Sequence, residues 1–194
     1  RGRRFRQGRP GVRHHHGAAA VEVGDRTLTT EKAYSAVATL NYHDHKNIEA
    51  EVSAYYMLFD GFIYAKPVQP PTLTIRGAFP TFYYTQTDAT LKGVDVTVNW
   101  TFVKNLELVT KASLLRARNT TAGEWLQLMP ADRIEQGLNW KTEGKKHFRN
   151  LHAGVSVQFV NKQWRVPFNS DFVNPPPDYF LLNAGAGCAL FFGK

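Results

Sequence analysis

The sequence predicts an all-β protein whose long antiparallel strands follow one another in up-and-down order. Three observations lead to this prediction. Seven stretches place apolar residues at alternate positions with no charged residue among them, and the positions between them carry the charges. Short connections alternate with long ones, and aromatic residues gather near the ends of the stretches. Because successive side chains of a strand point to opposite faces, this spacing predicts a sheet with one apolar and one polar face.

The first two strands are predicted over 33–42 and 48–59. One face of the second carries Ile48, Ala50, Val52, Ala54, Tyr56 and Leu58. Its opposite face carries Glu49, Glu51, Ser53, Tyr55 and Met57. A long loop is predicted over 60–80, because proline disrupts the hydrogen-bond ladder of a strand and this segment holds Pro67, Pro70, Pro71 and Pro80.

The third strand is predicted over 82–100, with an irregularity inside it. Its apolar residues occupy odd positions at Ala89 and Leu91 but even positions from Val94 onward. This change of parity predicts a β-bulge at Gly93.

Four further strands complete the pattern. They are predicted over 106–114, 133–141, 151–159 and 180–192. The remaining long loops are expected over 116–131 and 161–178, and the short turns over 43–47, 101–105 and 142–150.

Residues 1–32 are predicted to be irregular and basic. Six arginines within residues 1–13 supply +6 of the formal net charge of +8, so the rest of the chain is close to neutral. A terminal Arg/Gly run is typical of a flexible tail, and we expect no nucleic-acid binding. No apolar run is long enough for a transmembrane helix. Cys188 is the single cysteine, so an intrachain disulfide is excluded.

The apolar face could lie against a protein core, as in a soluble sandwich, or against lipid. The predicted strands are longer than the usual ones of soluble sheets and near the length that spans a bilayer. Their apolar faces are rich in mid-strand alanine, which fills a core poorly, and carry no ionisable residue. The pattern therefore favours a segment of a transmembrane β-barrel in an outer membrane.

In such a barrel the charged positions line the lumen. The expected lumen-facing residues are Glu49, Glu51, Asp95, Glu107, Lys111, Arg133 and Glu135. Since bacterial barrels have an even number of strands, seven predicted strands indicate part of a larger barrel.

The candidate ligand-binding residues lie in predicted extracellular loops. Imidazole binds transition metals and haem iron, so His14, His15 and His16 form a weak candidate metal site that Glu22 and Asp25 could complete. Alternatively, the three histidines belong to a polar loop and bind no metal. Loop aromatics including Tyr83, Trp125 and Trp164 could stack on an aromatic ligand or pack between loops. No catalytic constellation is present, so we expect neither an enzyme nor a cofactor.

Four segments together resemble the barrel of TonB-dependent outer-membrane receptors. They are the His15–Lys32 stretch with its His-His-Gly run, Gly-Asp box and Glu31; Thr87–Asp95; Trp125–Arg133; and Pro176–Asn183. The order and spacing are similar to that family over about 14–192. Residues 33–194 are thus expected to be a partial receptor barrel, and 1–32 a basic segment leading into an extracellular loop.

The resemblance implies a transporter that imports an iron-siderophore, haem or a metal. Its expected partners are outer-membrane lipid, a plug domain, the remaining barrel strands, and TonB-ExbB-ExbD acting through the plug. Compared with the family, we expect a fragment without the plug and the final strands, and Arg1–Arg13 is unlike the family. Two alternatives stay open: a soluble β-sheet binding module, and a truncated or frame-shifted receptor fragment without autonomous activity.

Overall fold

The computed structural model describes residues 12–15, 20–44, 46–145, 148–167 and 174–190. Across these ranges ten β-strands form one sheet and no helix occurs. The strands are β1 (Val12–His15), β2 (Ala20–Val23), β3 (Lys32–His43), β4 (Ile48–Thr74), β5 (Gly77–Val103), β6 (Leu106–Asn119), β7 (Glu124–Trp125), β8 (Arg133–Lys145), β9 (Phe148–Val160) and β10 (Tyr179–Leu190).

The main part of the sheet is an antiparallel meander in the order β3-β4-β5-β6-β8-β9-β10. These are the seven strands that the alternation predicts, and the up-and-down order is confirmed. The connections at Asp44, 46–47 and 104–105 lie at one end of the meander, the turn end. The segments 120–132, 161–167 and 174–178 lie at the opposite end, the loop end.

The strand register joins the alternating positions into two continuous faces. One row runs across all seven strands through Leu40, Val52, Val96, Ala112, Ile134, Phe159 and Phe180. A row on the other side runs through Asn41, Glu51, Thr97, Lys111, Glu135, Gln158 and Leu181. We call the first side the apolar face and the second the charged face.

No protein layer covers the apolar face among the described residues. Leu40 keeps 69% of its surface exposed and Leu182 keeps 73%. The buried apolar residues of the described chain are few, namely Val21, Val23, Ala89, Ala117 and Leu126. A soluble sandwich would bury these rows against a second sheet, so the soluble-module alternative finds no support in this fold.

The predicted loop over 60–80 is wrong, because β4 and β5 continue through it as one long hairpin. The pairing changes register between Val68 and Thr72, where Pro70 and Pro71 fall outside the ladder. The other edge of β4 is unpaired beyond Asp60, and proline is tolerated at such an edge. The part of this hairpin from Phe62 to Thr87, which we call the outer hairpin, is roughly 40 Å long at the usual rise per residue.

The predicted bulge at Gly93 is also wrong. The register runs without a break through Gly93 on both sides of β5. The one-residue bulge lies on β4 between Phe59 and Phe62, where Gly61 has a φ of 73°. This left-handed backbone suits glycine, and the Gly61 amide donates to a carboxylate oxygen of Asp88 at 3.2 Å.

Ala89 and Leu91 suggested a change of parity because they are apolar. They nevertheless lie on the charged face, which carries apolar residues near the loop end. Near the loop end, Ala89, Ala117 and Leu126 form a small buried cluster against Phe59, Phe62, Leu91 and Met129. Gly93 on the same face leaves room for a ring, since a Cβ there would collide with Tyr55.

Residues 1–32 were expected to be irregular, but two strands lie within them. β1 and β2 form an antiparallel pair, and β2 pairs in parallel with β5 at Thr81–Tyr83. The following segment is tied to the hairpin by Gln86. Its side-chain amide accepts from the Thr29 amide at 2.8 Å and donates to the carbonyls of Thr29 and Gly61 at 2.8 and 2.9 Å.

Asp44 shapes the turn between β3 and β4. One carboxylate oxygen accepts from the amides of Lys46, Asn47 and Ile48 at 2.9, 2.7 and 2.9 Å. These bonds, first of all that from Ile48, lower the pKa of Asp44 to about 2. The carboxylate form of this residue therefore stabilises the tight connection.

Candidate functional site

All seven residues expected in the lumen share the charged face. Lys111 lies directly between Thr97 of β5 and Glu135 of β8. Lys141 approaches Glu107 at 3.7 Å, and both side chains remain solvent-accessible. The face thus presents charges of both signs rather than a field of one sign.

A pocket of about 830 Å³ opens on the charged face at the loop end. It lies between the segment leading into β8, the segment following β9, and the first residue of β10. Five side-chain amides, prolines and other apolar residues, and one cation line it. They are Gln127, Leu128, Met129, Pro130, Ala131, Arg133, Gln158, Val160, Asn161, Gln163, Val166, Pro167, Asn174, Pro175, Pro176, Pro177 and Tyr179. A volume of this size suits an organic molecule, and amides can donate to and accept from it.

Two glutamines fix the loop segment on one side of the pocket. Gln127 donates through its side-chain amide to the carbonyl of Ala65 on β4. Gln163 donates in the same way to the carbonyl of Met129 at 2.5 Å. The pocket wall is therefore joined to the outer hairpin and to the segment after β9.

An ion-pair network holds the same segments together at Asp132. Arg116 binds its carboxylate through both terminal nitrogens at 2.6 and 3.0 Å, and Arg165 adds a bond at 2.8 Å. Burial alone would raise the pKa of Asp132, but the two guanidiniums outweigh it and the pKa is lowered from 3.8. The Arg165 side chain is only 4% exposed, so it depends on this carboxylate.

The two predicted ligand tryptophans contact each other. The rings of Trp125 and Trp164 meet edge to face with centroids 6.0 Å apart. Arg118 lies 4.0 Å from the ring centre of Trp125, and Arg165 lies 5.0 Å from that of Trp164. Trp125 and Trp164 therefore pack against each other between two loop-end segments.

The residues around the histidine run lie on β1 and β2, beside β5. The backbones of His14 and His15 pair with Val21 and Ala20, whereas His16 lies outside the described residues. Glu22 accepts from the Tyr84 hydroxyl at 3.2 Å.

Asp25 and Tyr83 complete the set of predicted ligand residues. Asp25 accepts from the amide and hydroxyl of Thr27 at 2.8 and 2.7 Å, which lowers the pKa of Asp25 and marks a local turn. Tyr83 is opposite Val23 and 47% exposed. No group of three His, Cys, Asp or Glu residues in the described part of the chain is arranged to hold a metal ion.

Sequence reasoning missed the residues that build the pocket and its supports. Arg116, Asp132, Gln163 and Arg165 were not among the candidates. A signal existed for Asp132, because it lies inside the Trp125–Arg133 stretch that resembles the family. No local sequence signal pointed to Arg165, since its partner Asp132 is 33 residues away.

Comparison with known proteins agrees with this architecture. The model of the TonB dependent receptor-like β-barrel family matches residues 2–191. The match includes most of the Arg-rich start, so the expectation that this stretch lies outside the resemblance is wrong. A search of curated proteins finds no match. Within the described residues, no helix is long and apolar enough to cross a membrane.

A solved structure, "Copper transporter OprC", has a similar fold. Its TM-score is 0.69 at 17% sequence identity, over 84% of this chain and 25% of that chain. The chain therefore spans about a quarter of the length of the structure it resembles. With a family match over nearly its whole length, the chain belongs to the TonB-dependent receptor-like β-barrel family.

Proposed function

We propose that this chain forms part of the wall of an outer-membrane importer, with its apolar face in lipid and its charged face toward the lumen. The observation that carries this proposal is the exposure of the apolar rows on all seven strands of the meander. Exposed apolar area on this scale needs a lipid or protein partner. Family members are outer-membrane β-barrels, and the charged face suits a water-filled interior.

A hydrogen-bonded polar pair on the apolar face supports lipid as the partner. Thr110 donates to the side-chain oxygen of Gln136 at 2.9 Å, and the Gln136 amide donates to the carbonyl of Val109 at 3.2 Å. A polar group in hydrocarbon is costly unless it is hydrogen-bonded. These two side chains satisfy each other and the backbone without water.

As cargo we propose an organic iron chelate, taken up by TonB-ExbB-ExbD acting through a plug domain. The loop-end pocket supports this class, because its volume and its amide lining suit an organic ligand better than a bare ion. Haem is a related candidate. A metal ion is the second candidate, favoured by the histidine run and by the copper named for the similar structure.

Uptake by cells tests the proposal. Cells lacking the receptor gene are complemented with the wild type or with Gln158→Trp, which narrows the pocket from β9. Uptake of labelled ferric catecholate, ferric hydroxamate, haem and copper ion is then measured. We expect uptake of one organic iron ligand to fall by about tenfold, which corresponds to ~1.4 kcal/mol of lost binding.

Val157→Trp is the matched control, because it places the same side chain one residue away on the apolar face. It is expected to leave uptake unchanged. If the wild type takes up copper ion and none of the organic ligands, a metal ion replaces the organic iron chelate as the proposed cargo. Wild-type accumulation of none of the probes, or recovery of the chain in the soluble fraction without detergent, would contradict the proposed function.

A further inference from the structure

Three cations lie on the apolar face at its loop-end border, so the expectation that this face carries no ionisable residue is wrong there. Lys92 comes two residues before Val94 on β5, and Arg116 and Arg118 follow Leu114 on β6 at alternate positions. The register places Lys92 directly opposite both Arg116 and Tyr56. We call Lys92, Arg116 and Arg118 the basic patch.

The basic patch carries more positive charge than its neighbours neutralise. Lys92 and Arg116 oppose each other across paired strands, an arrangement that repels. Lys92 is exposed and makes no ion pair with any residue that the structure describes. Asp132 accepts from Arg116 but is shared with Arg165.

The nearby carboxylates on this face have other partners. Asp60 binds Lys32 at 3.2 Å, and Asp88 accepts from the amide of Gly61 at 3.2 Å. Among the described residues, neither carboxylate forms an ion pair with Lys92 or Arg118, which leaves these two cations for an anion from outside the chain.

Aromatic side chains flank the basic patch, as expected at a boundary between hydrocarbon and polar headgroups. Trp125 lies beside Arg118, and Trp164 is 59% exposed next to it. Tyr56 is 45% exposed in the row of Lys92. Rings with one polar atom are favoured at this depth of a membrane.

We propose that the basic patch binds the phosphate of a lipid headgroup in the outer leaflet, with the acyl chains along the apolar rows below. This inference rests on the proposed function, since it needs the apolar face in lipid. Directly opposed residues of paired strands lie about 5 Å apart and diagonal ones about 7–8 Å. Lys92 and Arg118 are diagonal neighbours, so their side chains can converge on one phosphate, and a guanidinium group binds phosphate oxygens in pairs. Arg116 lies between them, keeps its two bonds to Asp132, and adds positive charge beside the site.

The experiment uses the chain purified in detergent and titrated with fluorescent bis-phosphorylated lipid A. A second titration uses the same lipid after phosphatase treatment. Lys92→Gln and Arg118→Gln are each expected to weaken binding about fivefold, and the double variant about twenty-five-fold, because each cation near an anionic headgroup contributes on the order of 1 kcal/mol. For the wild type, removing the phosphates should abolish the preference.

Lys104→Gln is the matched control, because it removes one exposed cation at the turn end of the same sheet. It should leave affinity unchanged. Equal affinity of wild type and double variant would overturn the inference, as would equal binding of phosphorylated and dephosphorylated lipid by the wild type. The comparison of the two lipids uses only the wild type, so it does not depend on whether a variant folds. If the chain still requires detergent in either case, the membrane placement stands and only the headgroup site fails.

Discussion

Arginine placed at Val96 tests which face of the sheet lies in hydrocarbon. Val96 is central in its strand, between Val52 of β4 and Ala112 of β6, and it lies in the middle rows of the apolar face. An arginine at the bilayer midplane costs about 2–4 kcal/mol in a transmembrane barrel. We therefore expect Val96→Arg to lower the free energy of unfolding by that amount.

The control for this prediction is Thr97→Arg, one residue along the same strand. Thr97 lies on the charged face between Glu51 and Lys111, where one neighbour attracts and the other repels the new charge. Its cost should stay within about 0.5 kcal/mol. The assay is urea unfolding in lipid vesicles, followed by tryptophan fluorescence. Equal costs for the two variants would refute the assignment of the faces.

Three further predictions address packing, ion pairing and a turn. Ala112→Leu should raise the unfolding free energy in vesicles by up to about 2 kcal/mol, because lipid accommodates the larger side chain; a packed core would be destabilised instead. Asp132→Asn should cost about 3 kcal/mol in urea unfolding at pH 7, since it leaves Arg165 buried and unpaired. Because the pKa of Asp132 is lowered, this wild-type advantage is fully present above pH 3.8 and is lost as the pH falls from there through the lower pKa of the folded state. Asp44→Ala should lower the thermal midpoint followed by circular dichroism at pH 7, and the difference should disappear near pH 2 as the wild-type carboxylate protonates.

The strands of the meander could be predicted because one rule governs them all. In β4 and β6, every second residue must suit an apolar medium, and the register then aligns these residues across the sheet. This rule needs only local sequence. It holds as long as the opposite face remains polar.

The outer hairpin and the segments at the loop end do not follow this rule. Near Ala89 and Leu126 the charged face turns apolar because it packs against segments that return from elsewhere in the chain. Pro70 and Pro71 suggested a loop, although they occupy a register shift within a ladder. The contact between Arg165 and Asp132 depends on how two distant segments fold back, which alternation cannot reveal.

The irregularity at Gly61 divides the long hairpin into an inner and an outer part. Beyond it, even-numbered residues of β4 such as Phe62 change sides relative to those before it. Asp60 and Gly61 together lie opposite the single residue Asp88, so deleting Gly61 would restore regular alternation with Phe62 still opposite Thr87. The bulge therefore accommodates one additional residue on β4 without shifting Ile48–Phe59 against β5. The chain can gain or lose a residue at this single point and keep its membrane-level strand pairing.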